Sequence, residues 1–248
     1  MFAEFIDPAG NGGVGVAFTD RLGGVSEGAL GRLNLGRSDL DEIDHLRTNM
    51  SRVRQAAGIT PIVAVHQIHG TAVHLADDDG RDWSSDVWIG NGAPGVARLP
   101  VADAIVSTTP GLAVMIRVAD CVPVILADPA RRIVAGAHAG RVGLLEGVLP
   151  AAVAAMGDAG ARRITAWIGP HICGDCYEVP AQMAADAAER IPECAAVTSW
   201  GSPAIDLGAG AEAQLEHLGA EVHRADPCTL TSTSLYSHPG DGPGAGRQ

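Results

Sequence analysis

The sequence predicts an α/β fold with mixed β-sheets, and three features lead to this class. Short apolar runs alternate with segments of helical periodicity along 248 residues. Several of the runs are joined by only a few turn-forming residues, which is too short for the crossover helix that a parallel pair requires. Hydrophobic residues make up 46% of the chain but aromatic residues only 4%, so the core must consist mainly of Ala, Val, Leu and Ile. We expect a single domain over residues 1–248.

In the first 100 residues the pattern predicts two strands and one helix. Residues 13–18 alternate as a short strand does and run into a glycine-rich loop. Residues 41–57 combine acidic early positions with an apolar stripe and with Gly58 as a stop, which is typical of an amphipathic helix. Residues 62–65 form a brief apolar strand. The polar segment 77–100 is expected to be an exposed excursion.

After residue 100 the predicted strands become dense. Apolar runs bounded by turn residues predict strands at 104–107, 111–118, 122–127, 133–137 and 164–168. Helical patterns occupy 141–156, 180–190 and 209–218, and Pro150 should kink or split the first of these helices. The Gly- and Pro-rich tail, residues 237–248, is expected to be irregular.

Charge and composition exclude several classes of function. The net charge of −12 argues against nucleic acid or an anionic membrane as a partner. All 17 basic residues are arginine, so lysine Schiff-base chemistry is excluded and ligand anions must be bound by arginine or by backbone amides. The N-terminus lacks the features of a signal peptide, and the chain has five cysteines, an odd number. We therefore expect a cytoplasmic protein with free thiols.

Three short segments each place one soft-metal ligand beside small residues at the end of an apolar run. The ligands are His69, Cys121 and His138. Two imidazoles and one thiolate are the ligand set of a catalytic zinc, which keeps its fourth position open, and this set favours zinc over copper. If residues 128–131 form a type I turn between two paired strands, Cys121 directly faces His138.

The same residues allow other interpretations. A cysteine hydrolase would use Cys121 as nucleophile and His138 as base. The helix predicted to start at Arg141 would present its N–H groups to an anion, for which phosphate is the candidate. The single pair Cys173 and Cys176 is weak evidence for a second metal, so we expect two free thiols near the site.

Several motifs follow one another in the order known from one family. They are Thr19–Ser26 with Leu33–Leu35, Gln67–Gly70, Ala102–Ala104, Ala119–Pro123, His138–Gly140, Ile168–Pro170 and Cys176–Val179. Over nearly its whole length the chain resembles the laccase-domain family, formerly called polyphenol oxidases and now regarded as purine nucleoside phosphorylases. The resemblance implies a four-layer α/β/β/α sandwich with mixed sheets, of the kind shared with CNF toxin, and zinc held by His69, Cys121 and His138.

The resemblance also implies an activity and a set of site residues. The activity is phosphorolysis of adenosine, inosine and methylthioadenosine, with adenosine deamination as a further possibility. The candidate residues are, for catalysis, Cys121, Asp120 and Glu178, and, for binding of the nucleoside or phosphate, Arg21, Asn34 and Arg141. Asp120 and Glu178 are expected either to transfer protons or to orient a ligand histidine.

The sequence departs from the family pattern at two places. The family's His-Ala-Gly-Trp-Arg-Gly is replaced by a segment in which Arg141 directly follows His-Ala-Gly, and after Ser237 no arginine occurs before Arg247. These changes keep open a non-catalytic member that binds a nucleoside or a protein partner. A multicopper laccase is rejected, because trinuclear copper clusters rely on His-x-His pairs and none of the nine histidines forms one.

Overall fold

The computed structural model of the chain describes residues 1–59, 61–76, 82, 83, 85–90, 98–242 and 244–248. Its strands are β1 (Phe2–Ile6), β2 (Val16–Thr19), β3 (Ile62–Ala64), β4 (Val73–Leu75), β5 (Ala104–Ser107), β6 (Ala113–Met115), β7 (Val122–Asp128), β8 (Ile133–Ala139), β9 (Thr165–Ile168), β10 (Ala195–Val197), β11 (Pro203–Ile205) and β12 (Glu221–Arg224). Its helices are α1 (Ile43–Ala57), α2 (Arg141–Glu146), α3 (Val148–Asp158), α4 (Ala181–Arg190), α5 (Leu207–His217) and α6 (His238–Asp241).

A six-stranded sheet forms the centre, in the order β12-β9-β7-β8-β5-β4. The strand β7 pairs antiparallel with β8 and β9, and β5 pairs antiparallel with β8. The two edge strands, β12 and β4, are parallel to their neighbours. The predicted mixed sheet is therefore confirmed. Both central strands are almost entirely buried, which agrees with their continuous apolar sequences.

Different elements cover the two faces of this sheet. On one face, apolar side chains of α2, α3 and α5 pack against β7, β8 and β9 in the largest buried cluster. A second cluster joins the apolar stripe of α1 to β3 and β6, which form a separate two-stranded parallel ladder. The β1–β2 hairpin packs on Ala127 and Trp167 of the central sheet. The complete four-layer order remains a prediction.

Elements with a strong sequence pattern were predicted, whereas short strands, most of them at sheet edges, were not. The helix α1 ends at Gly58, which adopts the left-handed conformation with φ 68°, and β5 has the predicted bounds. The prediction missed β1, β4, β10, β11 and β12, because these strands have three to five residues and most are partly exposed. None of the helices among the described residues is long and apolar enough to cross a membrane.

Two sequence predictions need correction. Within the segment expected to be an exposed excursion, Trp83, Trp88 and Ile89 are buried in the second cluster, because aromatic side chains cover the otherwise small-residue core. The rest of that expectation, at 77–81, 84 and 91–97, lies outside the described residues. In the tail expected to be irregular, the short helix α6 (His238–Asp241) follows Ser237, whose side chain accepts the Gly240 N–H as N-cap.

The predicted helix at 141–156 is divided in two, but not at Pro150. The division lies at Gly147, which ends α2 and precedes α3 with φ 95°, a backbone conformation that favours glycine. Pro150 sits in the first turn of α3, where its missing N–H has no intrahelical acceptor to lose.

Replacing Gly147 with alanine should therefore destabilise the fold by about 1–2 kcal/mol, since a side chain is strained in the left-handed region. Gly157 provides a matched control, because it lies inside α3 and an added Cβ would meet nothing within 4 Å. Gly157→Ala should stabilise the protein by up to about 1 kcal/mol. Urea unfolding of both variants tests this, and equal effects of the two substitutions would contradict it.

Candidate metal centre

The β7–β8 hairpin brings two of the predicted ligands together, although its register differs from the prediction. His138 pairs with Pro123 and not with Cys121, because the connecting loop is two residues longer than expected. In that loop Arg132 takes a left-handed conformation with φ 58°. Side chains alternate along a strand, so a shift of two residues keeps Cys121 and His138 on the same face of the sheet.

Two glycines let the start of α2 approach the other ligand segments closely. A Cβ atom on Gly140 would lie 2.6 Å from His69 Cδ2 and 3.2 Å from Cys121 Sγ. A Cβ atom on Gly143 would lie 2.8 Å from the carbonyl oxygen of Gly70. The distances of 2.6 and 2.8 Å are shorter than real Cβ contacts, so the absence of a side chain at these two positions determines the spacing of the site.

The ligand atoms of His69, Cys121 and His138 all lie within 4.8 Å of one another. Cys121 Sγ is 3.7 Å from His69 Nε2, and the two imidazole rings meet edge to face with centroids 4.7 Å apart. His138 is buried, Cys121 is half-buried and His69 is exposed, so the group opens to solvent on the His69 side. These three side chains can hold a metal ion with a position left for a further ligand.

The carboxylate of Asp103 forms hydrogen bonds that hold two of the three ligand residues, His69 and His138, in place. It is fully buried and accepts the backbone N–H groups of Ile68, His69 and Gly70 at 3.1, 2.9 and 2.8 Å. His138 Nδ1 lies 2.8 Å from the same carboxylate and donates to it, which leaves Nε2 for a metal. Sequence analysis assigned Asp103 no role. An aspartate inside an apolar run was the available signal.

The side chains of the group shift one another's pKa values. Burial raises the pKa of Cys121, but hydrogen bonds with His138 and His69 outweigh it and lower that pKa to about 6. Burial lowers the pKa of His138, but Asp103 and Cys121 outweigh it and raise that pKa to about 9. At neutral pH the protein groups alone therefore favour a thiolate beside an imidazolium, and metal binding would displace the His138 proton.

Asp120 connects the Cys121 loop to two C-terminal segments. Its carboxylate accepts a hydrogen bond from the Thr229 hydroxyl at 2.6 Å and from the His238 N–H at 2.5 Å. Its backbone has φ 86°, and its carbonyl accepts the Ile172 N–H. These contacts fix the position of Cys121. The part of Asp120 in proton transfer remains a prediction.

Of the other predicted residues, only Arg141 adjoins the ligand group. It is the first residue of α2 and is partly exposed. Its neighbour is Tyr177, a residue that the sequence analysis did not single out. Burial raises the pKa of the Tyr177 phenol, the nearby Arg141 guanidinium lowers it, and the Cys121 sulfur raises it further. Arg141 and Tyr177 are therefore hydrogen-bonding neighbours, and the Cys121 sulfur is close enough to affect the Tyr177 phenol.

Arg21, Asn34 and Glu178 make contacts with the protein itself. The Arg21 guanidinium pairs with Asp241 at 3.0 Å and stacks on the Tyr236 ring. The buried Asn34 amide bonds to Gly36, Asp41 and the Arg247 N–H. Glu178 is exposed and accepts the Trp200 indole N–H at 2.6 Å. Their predicted contacts with substrate remain predictions.

A family model described as multi-copper polyphenol oxidoreductase laccase matches residues 15–248. The chain belongs to this laccase-domain family. A purine nucleoside phosphorylase of Streptomyces griseus, ORF3, is 43% identical over 227 residues, which cover 90% of this chain and 87% of that protein. A purine nucleoside phosphorylase of Streptomyces coelicolor, SCO2081, is 42% identical over 231 residues, covering 91% and 90%.

A solved structure of the same family supports the fold. The crystal structure of the Neisseria meningitidis protein NMB0706 is 33% identical, with a TM-score of 0.76, and the match covers 93% of this chain and 90% of that one. The mixed α/β fold with its six-stranded sheet is therefore shared with this family member.

A cavity of about 720 Å³ does not include the ligand group. Its walls come from the β1–β2 hairpin, α1 and the β3–β6 ladder, and none of the three ligand residues lines it. Most of the residues that line it are apolar, and the charged residues named in its lining are Arg117 and Arg132. We place the chemistry at the ligand group because the donor atoms meet there.

Asp103→Asn should lower the affinity for zinc about 10- to 100-fold, because the amide cannot accept all four hydrogen bonds that orient His69 and His138. Asp128→Asn is the matched control. Asp128 is also buried and accepts the backbone N–H groups of Arg131, Arg162 and Arg163, but at the far end of β7.

Competition with a chromophoric chelator measures the zinc affinity of both variants, and urea unfolding measures their stability. Both substitutions should lower stability, and only Asp103→Asn should weaken zinc binding. Equal zinc affinities in the two variants would refute the role assigned to Asp103.

Proposed function

We propose that this protein is a zinc-dependent purine nucleoside phosphorylase. It would convert adenosine, inosine or methylthioadenosine, with phosphate, to the free base and the sugar 1-phosphate. One observation carries the proposal: a two-histidine, one-cysteine group converges in a chain that is 43% identical to a protein named purine nucleoside phosphorylase.

The residues present fit zinc by their donor chemistry. Asp103 holds Nδ1 of His138, so Nε2 is available, and the low pKa of Cys121 favours the thiolate that a metal requires. Two imidazoles and a thiolate are donors that zinc accepts in catalytic sites. Bound there, zinc would supply a Lewis acid at the open side of the site. The family's description names copper, but the chain contains no His-x-His pair of the kind that trinuclear copper clusters use.

Phosphorolysis exchanges one bond at the sugar C1′ for another. A phosphate oxygen forms a bond to C1′ while the bond from C1′ to the purine nitrogen breaks, and the base leaves with that electron pair and takes up a proton. The protein must therefore neutralise phosphate and stabilise the departing base. Because the chain has no lysine, arginine must supply the positive charge.

Arg141 is the arginine best placed to bind phosphate. It neighbours Tyr177, whose phenol is also influenced by the Cys121 sulfur, and it is partly exposed, so an anion at the open side of the ligand group can reach it. Arg21 is proposed as a second contact, which requires it to share its guanidinium with Asp241. Asn34 would act through the Arg247 N–H that it binds, and Asp120 by positioning Cys121. Glu178, exposed beside Tyr177 in the chain, is the proposed proton donor to the base.

A cysteine hydrolase is the second candidate. Asp103 bonds to His138, and His138 lies close to Cys121, which is the spatial arrangement of an acid, base and nucleophile triad. This candidate gives no role to His69, whose Nε2 lies 3.7 Å from the Cys121 sulfur. A zinc site uses all three side chains.

Purified protein should release adenine from adenosine only when phosphate is present. Inosine formed with or without phosphate would show deamination instead. If neither product forms, the protein is a non-catalytic member that binds a nucleoside or a protein partner.

Removal of zinc with a chelator should abolish phosphorolysis, and added zinc should restore it. Cys121→Ser should also be inactive, whereas Cys194→Ala, a buried cysteine outside the group, should keep its activity. Activity that survives complete removal of the metal would favour the hydrolase.

Arg141→Ala should raise the KM for phosphate about 10- to 100-fold, because a charge-assisted hydrogen bond to the anion is lost. Arg131→Ala, at an exposed position in the β7–β8 loop, is the charge-matched control and should leave KM unchanged. Initial rates at varied phosphate and saturating nucleoside separate the two. An unchanged KM in Arg141→Ala would remove this arginine from the phosphate site.

A further inference from the structure

A second group of thiols lies outside the site described above. The Sγ atoms of Cys173, Cys176 and Cys228 all lie within 4.8 Å of one another, and the three cysteines are free and partly exposed. Sequence analysis considered only the first two and expected free thiols. The third thiol comes from a segment far along the chain, which a local spacing pattern does not reveal.

Backbone contacts hold the two contributing segments together. An isolated parallel bridge joins His171 to Cys228, and the Thr229 N–H donates to the His171 carbonyl at 2.9 Å. In the first segment, the N–H groups of Cys176 and Tyr177 both donate to the Cys173 carbonyl, which forms a tight turn that puts Cys173 and Cys176 side by side. The positions of the thiols are thus fixed by the backbone.

The Cys228 sulfur lies in a group of backbone donors. The Cys173 N–H approaches it at 3.5 Å, and the N–H groups of Leu230 and Thr231 also bond to it. Donors of this kind stabilise a sulfur that carries negative charge, as a metal-bound thiolate does.

We propose that Cys173, Cys176 and Cys228 form a second metal site, which binds a thiophilic divalent cation of the Zn²⁺ type through three thiolates. Each thiol releases its proton to solvent on binding, and the partly exposed side leaves room for water as fourth ligand. A divalent ion leaves less uncompensated negative charge on three thiolates than a monovalent one. A disulfide would use only two of the three sulfurs.

Such an ion would stabilise the loops next to the first site. The Ile172 N–H donates to the Asp120 carbonyl, and the Thr229 hydroxyl donates to the Asp120 carboxylate. Each of these donors lies next to a cysteine of the second group, and Asp120 precedes Cys121. The second metal would therefore fasten two of the three segments that hold Asp120. This role is structural and does not depend on the activity proposed above.

Zinc content after loading and removal of unbound metal tests the proposal. The unmodified protein should retain about two equivalents per chain, and Cys121→Ser and Cys228→Ser about one each. Cys194→Ala, at a buried cysteine outside both groups, should retain about two. Zinc should raise the Tm of Cys121→Ser but not that of the double variant Cys121→Ser/Cys228→Ser. A single equivalent in the unmodified protein, lost in Cys121→Ser and kept in Cys228→Ser, would overturn the proposal.

A second measurement avoids any variant that fails to fold. Alkylation of the unmodified, reduced protein, followed by peptide mapping, should show that zinc protects Cys173, Cys176 and Cys228. Alkylation of these three residues that is unaffected by zinc would overturn the proposal. So would a disulfide between any two of them in protein purified without reductant and loaded with zinc. Both outcomes are independent of nucleoside turnover, so failure of the proposed function would leave this test intact.

Discussion

The buried carboxylate of Asp103 makes the contacts on which the candidate metal centre depends. A carboxylate without partners in a protein interior costs several kcal/mol, but here three backbone N–H groups and one imidazole surround it. Burial raises its pKa, and the donors, His138 first, outweigh burial and lower the pKa. The same four bonds shape the His69 loop, where φ is 63°, and fix the tautomer of His138. One anion therefore determines the backbone of one ligand and the orientation of another.

Close backbone approach supplies the remaining constraint. The three ligands come from a loop, the residue before β7 and the end of β8, and no covalent link holds them together. Gly140 and Gly143 allow the first turn of α2 to touch the loop at His69 and Gly70. Asp120 anchors the Cys121 side through Thr229 and His238. The small residues and the hydrogen-bonded acids act together in an arrangement that places the donor atoms within 4.8 Å of one another.

The central strands and the ligand set could be predicted from the sequence because both produce local sequence patterns. Buried strands such as β5 are continuous apolar runs, and α1 has an amphipathic period with a glycine stop. The hairpin register was wrong because Arg132 adopts a left-handed conformation that its residue type does not indicate. The ligand prediction survived because the error was two residues, which preserves the face of the strand. The role of Asp103 and the proximity of Cys228 depend on tertiary contacts, which no spacing pattern records.

Under the proposed function, the distribution of arginine determines where phosphate can bind. The tail lacks the arginines that the family pattern implies after Ser237 and has Asp241 in their place, so the Arg21 charge is largely neutralised within the protein. Arg141 has no such carboxylate among its described contacts, and its hydroxyl neighbour Tyr177 can share an anion with it. Because Arg141 directly follows Gly140, which packs against His69 and Cys121, a phosphate bound to it would lie at the open side of the candidate metal ligands. The loss of the tail arginines therefore moves the expected phosphate position toward α2 rather than removing it.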